Sequence, residues 1–193
     1  MVDRIVKIVV ASPSDAMRER KSLLDKLQTY FTRYKYEDLC QARIVVEGWE
    51  NIPSQSGYPQ DIINSTLITK ADIVLALFRH KLGNPTINTK TGKKRSPSGT
   101  AEELKYAISQ NKKNNKPLAM VYYYEKPPIW TFFSFKAKRE WKRLEEFKTE
   151  IRNEILYQFY NDDEEKLLRT ACDEICNNIR AHKILAVPDN AVS

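Results

Sequence analysis

The sequence has few glycines and few cysteines, and each shortage excludes a class of protein. Its 193 residues include five glycines, none of which forms a G-x-G-x-x-G or Walker-type loop, so a conventional dinucleotide fold or P-loop NTPase is not expected. The three cysteines lack framework spacing, which predicts reduced thiols and a cytoplasmic protein. Cys172 and Cys176 share one face of a predicted helix, but without two further ligands they make a poor zinc site. We therefore predict no metal site and no bound cofactor.

Long apolar runs and a strong charge of one sign are also missing. The longest apolar runs, such as 73–78, are far shorter than the roughly 20 residues of a membrane-spanning helix, so we expect no membrane association. The net charge of +7 is spread along the chain and comes with no RNA-binding or zinc-finger pattern, so nucleic acid is an unlikely partner. An apolar fraction of 41% predicts a folded chain.

Short β-branched runs alternate with helical periodicity in the first two thirds of the chain. Such alternation requires parallel strand pairing with right-handed crossovers. We therefore predict the α/β class, with an open parallel sheet in a flavodoxin-like, three-layer arrangement. The predicted strands are 5–11, 43–47, 72–78 and 117–124, and the intervening helices begin near residues 16, 60 and 99.

The remaining third of the chain is charged and helix-periodic. Its pattern predicts helices over about 135–160 and 163–182, with no further strand. We accordingly divide the chain into an α/β domain over 1–125, a charged helical extension over 126–186 and a frayed tail over 187–193. The helices could pack on the sheet or contact a second copy of the chain.

Polar side chains follow the predicted strands at the edge where open α/β sheets bind ligands. They comprise hydroxyls, aromatic rings and a guanidinium, a composition that suits a nucleotide or a sugar. Our candidate ligand-binding residues are Ser12, Ser14, Trp49, Tyr58, Asp72, Arg79, Ser98 and Thr100.

Several of these candidates have a purely structural alternative. Ser12 or Ser14 could cap the first helix, and Trp49 could anchor the core. Asp72 could cap the turn before its strand, and Arg79 could be an exposed salt-bridge partner.

Two adjacent carboxylates, Glu102 and Glu103, lie in the first turn of the predicted helix that opens at Gly99. The helix macrodipole favours acidic residues there, which is a structural explanation of their presence. The functional alternative is a carboxylate that stabilises, or traps covalently, the oxocarbenium formed when an N-glycosidic bond breaks.

Several short motifs together resemble a bacterial domain family of unknown function that is similar to Toll/interleukin-1 receptor (TIR) domains. The resemblance covers about residues 4–125 and extends more loosely over the charged helices that follow. Its motifs are Val9-Val10-Ala11-Ser12-Pro13-Ser14-Asp15, Arg18-Glu19-Arg20, Trp49-Glu50-Asn51-Ile52-Pro53, Gln60-Asp61-Ile62-Ile63-Asn64, Ala71-Asp72-Ile73-Val74, Leu82-Gly83-Asn84-Pro85-Thr86 and Ser98-Gly99-Thr100 to Glu103.

The wider group is similar to nucleoside 2-deoxyribosyltransferases, in which a Gly-Thr-x-x-Glu segment opens the helix that carries the catalytic glutamate. On that match Glu103 is the catalytic candidate. The resemblance implies recognition of a nucleotide or NAD, with NAD as a possible substrate for N-glycosidic cleavage. It also implies a bacterial anti-phage setting and assembly into a homo-oligomer or with a partner defence protein. Many TIR relatives are scaffolds without catalysis, so a non-catalytic nucleotide-sensing or assembly module is the alternative.

The segment from Gly83 to Ser98 is long enough to predict a functional lid. Its basic residues Lys93, Lys94 and Arg95 could close over the phosphates of a nucleotide. On the same hypothesis Ser12 and Ser14 hold phosphate and Trp49 or Tyr58 stacks on a base, while Arg79 pairs with the pyrophosphate.

Overall fold

The fold is built on a parallel five-stranded sheet. The structure is a computed structural model, and it describes residues 4–52, 54, 57–88, 91–129 and 134–182. The strand order is β2-β1-β3-β6-β7, and every neighbouring pair is parallel. The strands are β1 (Ile5–Ala11), β2 (Arg43–Glu47), β3 (Ile73–Phe78), β6 (Leu118–Tyr124) and β7 (Tyr157–Tyr160). This order confirms the predicted flavodoxin-like arrangement.

Helices cover both faces of the sheet, as three-layer packing requires. They are α1 (Met17–Arg33), α2 (Tyr36–Cys40), α3 (Pro59–Thr66), α4 (Gly99–Asn114), α5 (Phe135–Ile151) and α6 (Glu164–His182). The apolar residues of α1, α2 and α6 form one core with one face of the sheet. Those of α3, α4 and α5 form the cores on the opposite face. None of the helices in the described ranges combines the length and the apolar composition that a bilayer crossing requires.

The central strands form where the sequence is most continuously apolar. All six residues of β3 are buried, and β1 is buried from Ile8 to Ala11. Ile8 pairs with Ile73, and Ile73 pairs in turn with Leu118 of β6. Strands that are buried on both faces need apolar side chains in both orientations, so their sequence lacks the alternation of a half-exposed strand.

The second half of the chain differs from the prediction of helices alone. The predicted helix over 135–160 ends at Ile151, and Tyr157–Tyr160 forms β7, which pairs with β6. This strand is only four residues long and alternates poorly, so helical periodicity obscured it. The region 126–186 therefore contributes a strand to the central sheet. The predicted tail over 187–193 lies outside the described residues.

The predicted lid over 83–98 is also partly ordered into regular structure. Within it β4 (Thr86–Ile87) and β5 (Lys94–Ser96) pair as an antiparallel hairpin. Arg95 of β5 forms ion pairs with Asp61 of α3 and Glu102 of α4, at 2.6 and 2.7 Å. The segment therefore contains a hairpin that is anchored to α3 and α4, and its role as a lid stays a prediction.

Candidate functional site

The topology brings the segments after β1, β2 and β3 to one edge of the sheet. The chain after β1 runs toward β2, whereas the chain after β3 runs in the opposite direction toward β6, so the direction of the crossovers reverses between β1 and β3. A crevice opens between the loops at such a reversal and is the usual ligand site of this architecture. Both α3 and α4 also begin at this carboxyl edge, because each follows a strand that ends there.

The amino terminus of α4 is fixed by a side-chain cap. Ser98 precedes the helix and its Oγ accepts a hydrogen bond from the Ala101 backbone N–H at 3.0 Å. Ser98 and Thr100, both predicted to bind ligand, lie at the start of this helix. Both are buried, with exposures of 1% and 7%. The cap gives α4 a defined starting point and holds its first turn against the sheet.

Glu103 lies in that first part of α4 and points to α3 rather than to its own helix end. Its Oε1 accepts a hydrogen bond from Gln60 Nε2 at 2.8 Å, and both side chains are buried. A Cβ on Gly99 would lie 3.0 Å from Gln60 Oε1, so glycine at this position allows the close approach of α3 and α4. The contact holds the Glu103 carboxyl in one orientation.

Burial raises the pKa of the Glu103 carboxyl to about 7, because removal from water disfavours its charged form. The hydrogen bond from Gln60 and the charge of Arg20 lower that pKa, whereas the charges of Glu102 and Glu50 raise it. The carboxyl of Glu103 thus changes charge near neutral pH, which is the property that acid–base or ionic catalysis requires.

Glu102, the neighbouring carboxylate, is fully engaged in structural contacts. Its Oε1 forms an ion pair with Arg95 at 2.7 Å, and its Oε2 accepts a hydrogen bond from the Thr86 hydroxyl at 2.7 Å. These contacts fasten the β4–β5 hairpin to the start of α4. The structural explanation therefore suits Glu102, whereas the partner of Glu103 within the described ranges is a neutral amide.

A buried arginine lies between the first two strand ends. Arg20 of α1 is 1% exposed and donates two hydrogen bonds to the Glu50 carboxylate, at 2.8 and 2.7 Å. Its third nitrogen donates to the Val10 carbonyl oxygen of β1. Arg20 holds the pKa of the Glu50 carboxyl below its usual value through those hydrogen bonds.

The candidate site includes two residues, Arg20 and Gln60, that sequence reasoning did not assign a role. Both occur within motifs that carried the family resemblance, but their partners lie 30 and 43 positions away. Only tertiary structure reveals such pairings. The motifs themselves were the one available signal.

The two predicted stacking aromatics lie at this edge with partners of their own. Trp49 is 50% exposed, so it is not a core anchor, and the Arg20 guanidinium lies 5.9 Å from its ring centroid. The Tyr58 ring lies 5.0 Å from the Arg95 guanidinium. A half-exposed indole beside buried polar groups offers a stacking surface for a planar ligand.

The serines after β1 do not cap the first helix. Neither the 3-10 turn Ser14–Ala16 nor α1 has a side-chain capping hydrogen bond. The Ser12 hydroxyl is buried and finds no hydrogen-bond partner within the described part of the chain. Ser14 is exposed and lines a cleft at the sheet edge.

Arg79, at the end of β3, is occupied by protein groups. It donates to the carboxylate of Glu19 and, at 2.7 Å, to that of Asp162, and it lies 4.1 Å from the centroid of the Tyr124 ring. Its side chain is 22% exposed, so it is a partly buried rather than an exposed salt-bridge partner. These two carboxylates balance the positive charge of Arg79, the residue predicted to pair with a pyrophosphate.

Asp72 is separated from the other predicted residues. It immediately precedes β3 and therefore lies at the amino edge of the sheet, opposite the carboxyl edge. Its carboxylate accepts a hydrogen bond from the Lys7 backbone N–H at 2.9 Å and lies 3.6 Å from Lys116 Nζ. These contacts explain a structural role and correct its assignment as a ligand-binding residue.

Acidic, histidine and cysteine side chains do not gather into a metal-binding cluster anywhere in the described ranges. Cys40, Cys172 and Cys176 are buried free thiols.

Comparison with known proteins yields one family and a weak structural similarity. No curated protein matches the sequence significantly. An acetyl xylan esterase, Est2A, from the rumen bacterium Butyrivibrio proteoclasticus aligns with 93% of this chain at 10% identity and a TM-score of 0.32, and the alignment covers 64% of the esterase chain. A similarity at that level carries no information about activity. The family described as "Domain of unknown function (DUF4062)" matches residues 7–171, and this chain belongs to that family.

Proposed function

We propose that this domain binds a nucleotide at the carboxyl edge of its sheet and cleaves the N-glycosidic bond of that nucleotide, with NAD as the candidate substrate. The observation that carries the proposal is the Glu103 carboxyl, which is 8% exposed, oriented by Gln60 and balanced by no ion pair with a described residue. A fixed carboxylate in a water-poor site is the group that an oxocarbenium-like transition state needs.

One carboxylate is sufficient for this reaction because the leaving group of NAD needs no protonation. The bond between ribose C1′ and the nicotinamide nitrogen breaks, and its electron pair neutralises the pyridinium ring. Positive charge develops at C1′, where the Glu103 carboxylate stabilises it. Water then adds to C1′ and loses one proton, which gives nicotinamide, ADP-ribose and a proton. Most O-glycosidases, by contrast, need a second carboxyl group as the acid.

The neighbouring groups support a nucleotide at this place. Trp49 presents a half-exposed ring for stacking. The resemblance to TIR domains and nucleoside 2-deoxyribosyltransferases supports the same glutamate, because Glu103 is the residue that matches their catalytic position. Trp49, Ser12 and Glu103 all belong to segments that meet at the carboxyl edge.

The test is incubation of the purified protein with NAD, with separation of nicotinamide and ADP-ribose by chromatography. We expect both products from the wild type, and a loss of about 100-fold or more in Glu103→Gln. Glu102→Gln is the matched control, because it removes one carboxylate from the same helical turn without touching the proposed reacting group. The control should keep most of the activity.

Because the resemblance implies assembly, the assay is run both in dilute solution and with the protein clustered on a support. Absence of product in both states contradicts catalysis. Equal rates in wild type and Glu103→Gln contradict the assignment of Glu103.

A non-catalytic sensing and assembly module is the second candidate, and the edge of the sheet favours it. The last strand, β7, has no strand beyond it in the described sheet, and Leu156 and Phe159 there are 92% and 52% exposed. Exposed apolar groups on an edge strand are a means of pairing with another chain. Nucleotide-dependent assembly without any turnover, retained in Glu103→Ala, would identify this function.

A further inference from the structure

A cleft of about 440 Å³ opens at the carboxyl edge beside the proposed site. Three segments line it: the turn after β1, the loop after β3 and the first turn of α5. It therefore lies at the point where the crossovers leave the sheet in opposite directions. Its volume lies within the roughly 300–1,000 Å³ range of small-molecule sites.

The walls of the cleft are fixed by hydrogen bonds between those segments. Asp15 Oδ2 accepts from the His80 backbone N–H at 2.9 Å, which ties the first loop to the second. Arg143 of α5 donates to the carbonyl oxygens of Gly83 and Pro97, at 3.1 and 2.7 Å. Because these hydrogen bonds hold the walls in place, binding would cost little ordering of the protein.

The charge of the cleft is positive. Lys81 and Lys136 line it, and neither forms an ion pair with a residue in the described ranges. Among the described residues that line the cleft, one is acidic: Glu140, which Arg143 neutralises through two hydrogen bonds of 2.9 and 2.8 Å. Two uncompensated ammonium groups in one cleft favour an anionic ligand.

The remaining polar groups suit phosphate oxygens. Ser14 and Asn84 contribute a hydroxyl and an amide, and Ser134 contributes a second hydroxyl. The Ser134 Oγ accepts from the Ala137 backbone N–H at 3.3 Å, so its own O–H remains able to donate. Hydroxyl, amide and ammonium donors together form the usual environment of a bound phosphate.

We propose that this cleft binds the diphosphate of a nucleotide, with Lys81 and Lys136 as its charge partners. The inference rests on the proposed function and deepens it, because it assigns the anionic part of the ligand to residues distinct from Glu103. The cleft adjoins the Glu103 site. Gly83 lines the cleft, and a Cβ at this position would lie 3.3 Å from the Cβ of Ser98, which caps the helix that carries Glu103. Arg79, already paired with two carboxylates, is thereby replaced as the pyrophosphate partner.

Calorimetric titration with inorganic pyrophosphate and with ADP tests the proposal on the full chain. We expect both probes to bind the wild type and to compete with each other. Lys81→Ala/Lys136→Ala should weaken both by about 10-fold or more, as expected for the loss of two charge-assisted contacts. Lys138→Ala/Lys142→Ala is the matched control, since it removes the same charge from α5 outside the cleft, and it should change affinity less than about 2-fold.

Each other outcome overturns the inference. Equal weakening by the two double variants would show attraction by net charge alone, and unchanged affinity in Lys81→Ala/Lys136→Ala would place the anion elsewhere. Binding of pyrophosphate without ADP would indicate a site for free phosphate. Glu103→Gln should leave pyrophosphate affinity unchanged, so a failure of NAD cleavage and a failure of this cleft are distinguishable.

Discussion

Charged side chains are paired on one side of the carboxyl edge, whereas on the other side a buried carboxyl has a neutral partner. At the ends of β3 and β6, Arg79 is enclosed by Glu19, Asp162 and the Tyr124 ring, so every charge has a partner. At the start of α4, Glu103 is buried, and among the described residues its direct partner is the amide of Gln60. A balanced cluster stabilises the fold, whereas an unbalanced carboxyl lowers stability at neutral pH and is available for chemistry.

The pKa values reflect this difference. Hydrogen bonds from Tyr124 and Arg79 hold the pKa of the Asp162 carboxyl below its usual value. Burial raises that of Glu103 to about 7. The same edge therefore contains one carboxylate that stays charged and one that titrates near neutrality. Substitutions in each cluster should separate a structural from a functional role.

The largest effect on stability is expected from Arg79→Ala. It leaves the carboxylate of Glu19, which is 8% exposed, without its partner, and should lower the free energy of unfolding by about 3 kcal/mol. Lys26→Ala is the control, because its ion pair with Glu164 is exposed on both sides and should contribute less than about 0.5 kcal/mol. Urea denaturation of both variants measures the difference. Equal effects would show that the Arg79 cluster is no more than a surface pair.

Glu103→Gln should raise the free energy of unfolding, whereas Arg79→Ala should lower it. Because the pKa of Glu103 is raised in the folded protein, its stabilising contribution is complete below about pH 4.5 and is lost as the pH rises through about 7. A neutral glutamine avoids this loss, so the variant should be more stable than the wild type by about 3 kcal/mol at about pH 8. At about pH 5 the gain should shrink below about 1 kcal/mol.

Thermal and urea unfolding at the two pH values measure that gain. Glu102→Gln serves as the control, since it loses an ion pair and should not stabilise the protein at either pH. A Glu103→Gln variant that is destabilised at high pH would mean that an unrecognised cation balances the carboxylate.

The smallest effect is expected from Asp162→Asn. Its carboxylate is more than half exposed, so the loss of the ion pair with Arg79 should cost less than about 1 kcal/mol at neutral pH. Because the pKa of Asp162 is lowered, its contribution is present above the usual aspartate pKa of about 3.9 and is lost as the pH falls further. Denaturation at neutral and acidic pH checks this; a cost that persists in acid would point to packing instead.

Much of the sheet could be predicted from the sequence because its central strands are continuous β-branched runs. Strands β1 and β2 begin and end at the predicted residues. The strand β7 was missed because four residues, Tyr157 to Tyr160, carry too little alternation to outweigh the helical pattern before them. Local periodicity identifies elements that bury a whole face, but not a short strand whose position depends on its neighbour.

The candidate site was less predictable than the sheet. The motif containing Glu103 could be located, and the structure places that residue at the carboxyl edge. The pairing of Arg79 with Glu19 and Asp162 could not, because those partners lie 60 and 83 positions away along the chain. Asp72 shows the same limit, since only the strand register places it at the opposite edge.

A ¹³C NMR titration of the Glu103 side-chain carboxyl is the most direct measurement. It tests whether this buried group lacks an ion pair with the described part of the chain. The signal is assigned by its disappearance in Glu103→Gln. We expect a titration midpoint near pH 7, well above the glutamate value of about 4.3. A midpoint at or below that ordinary value would show that Glu103 is paired or solvated like its neighbours, and would contradict its proposed role.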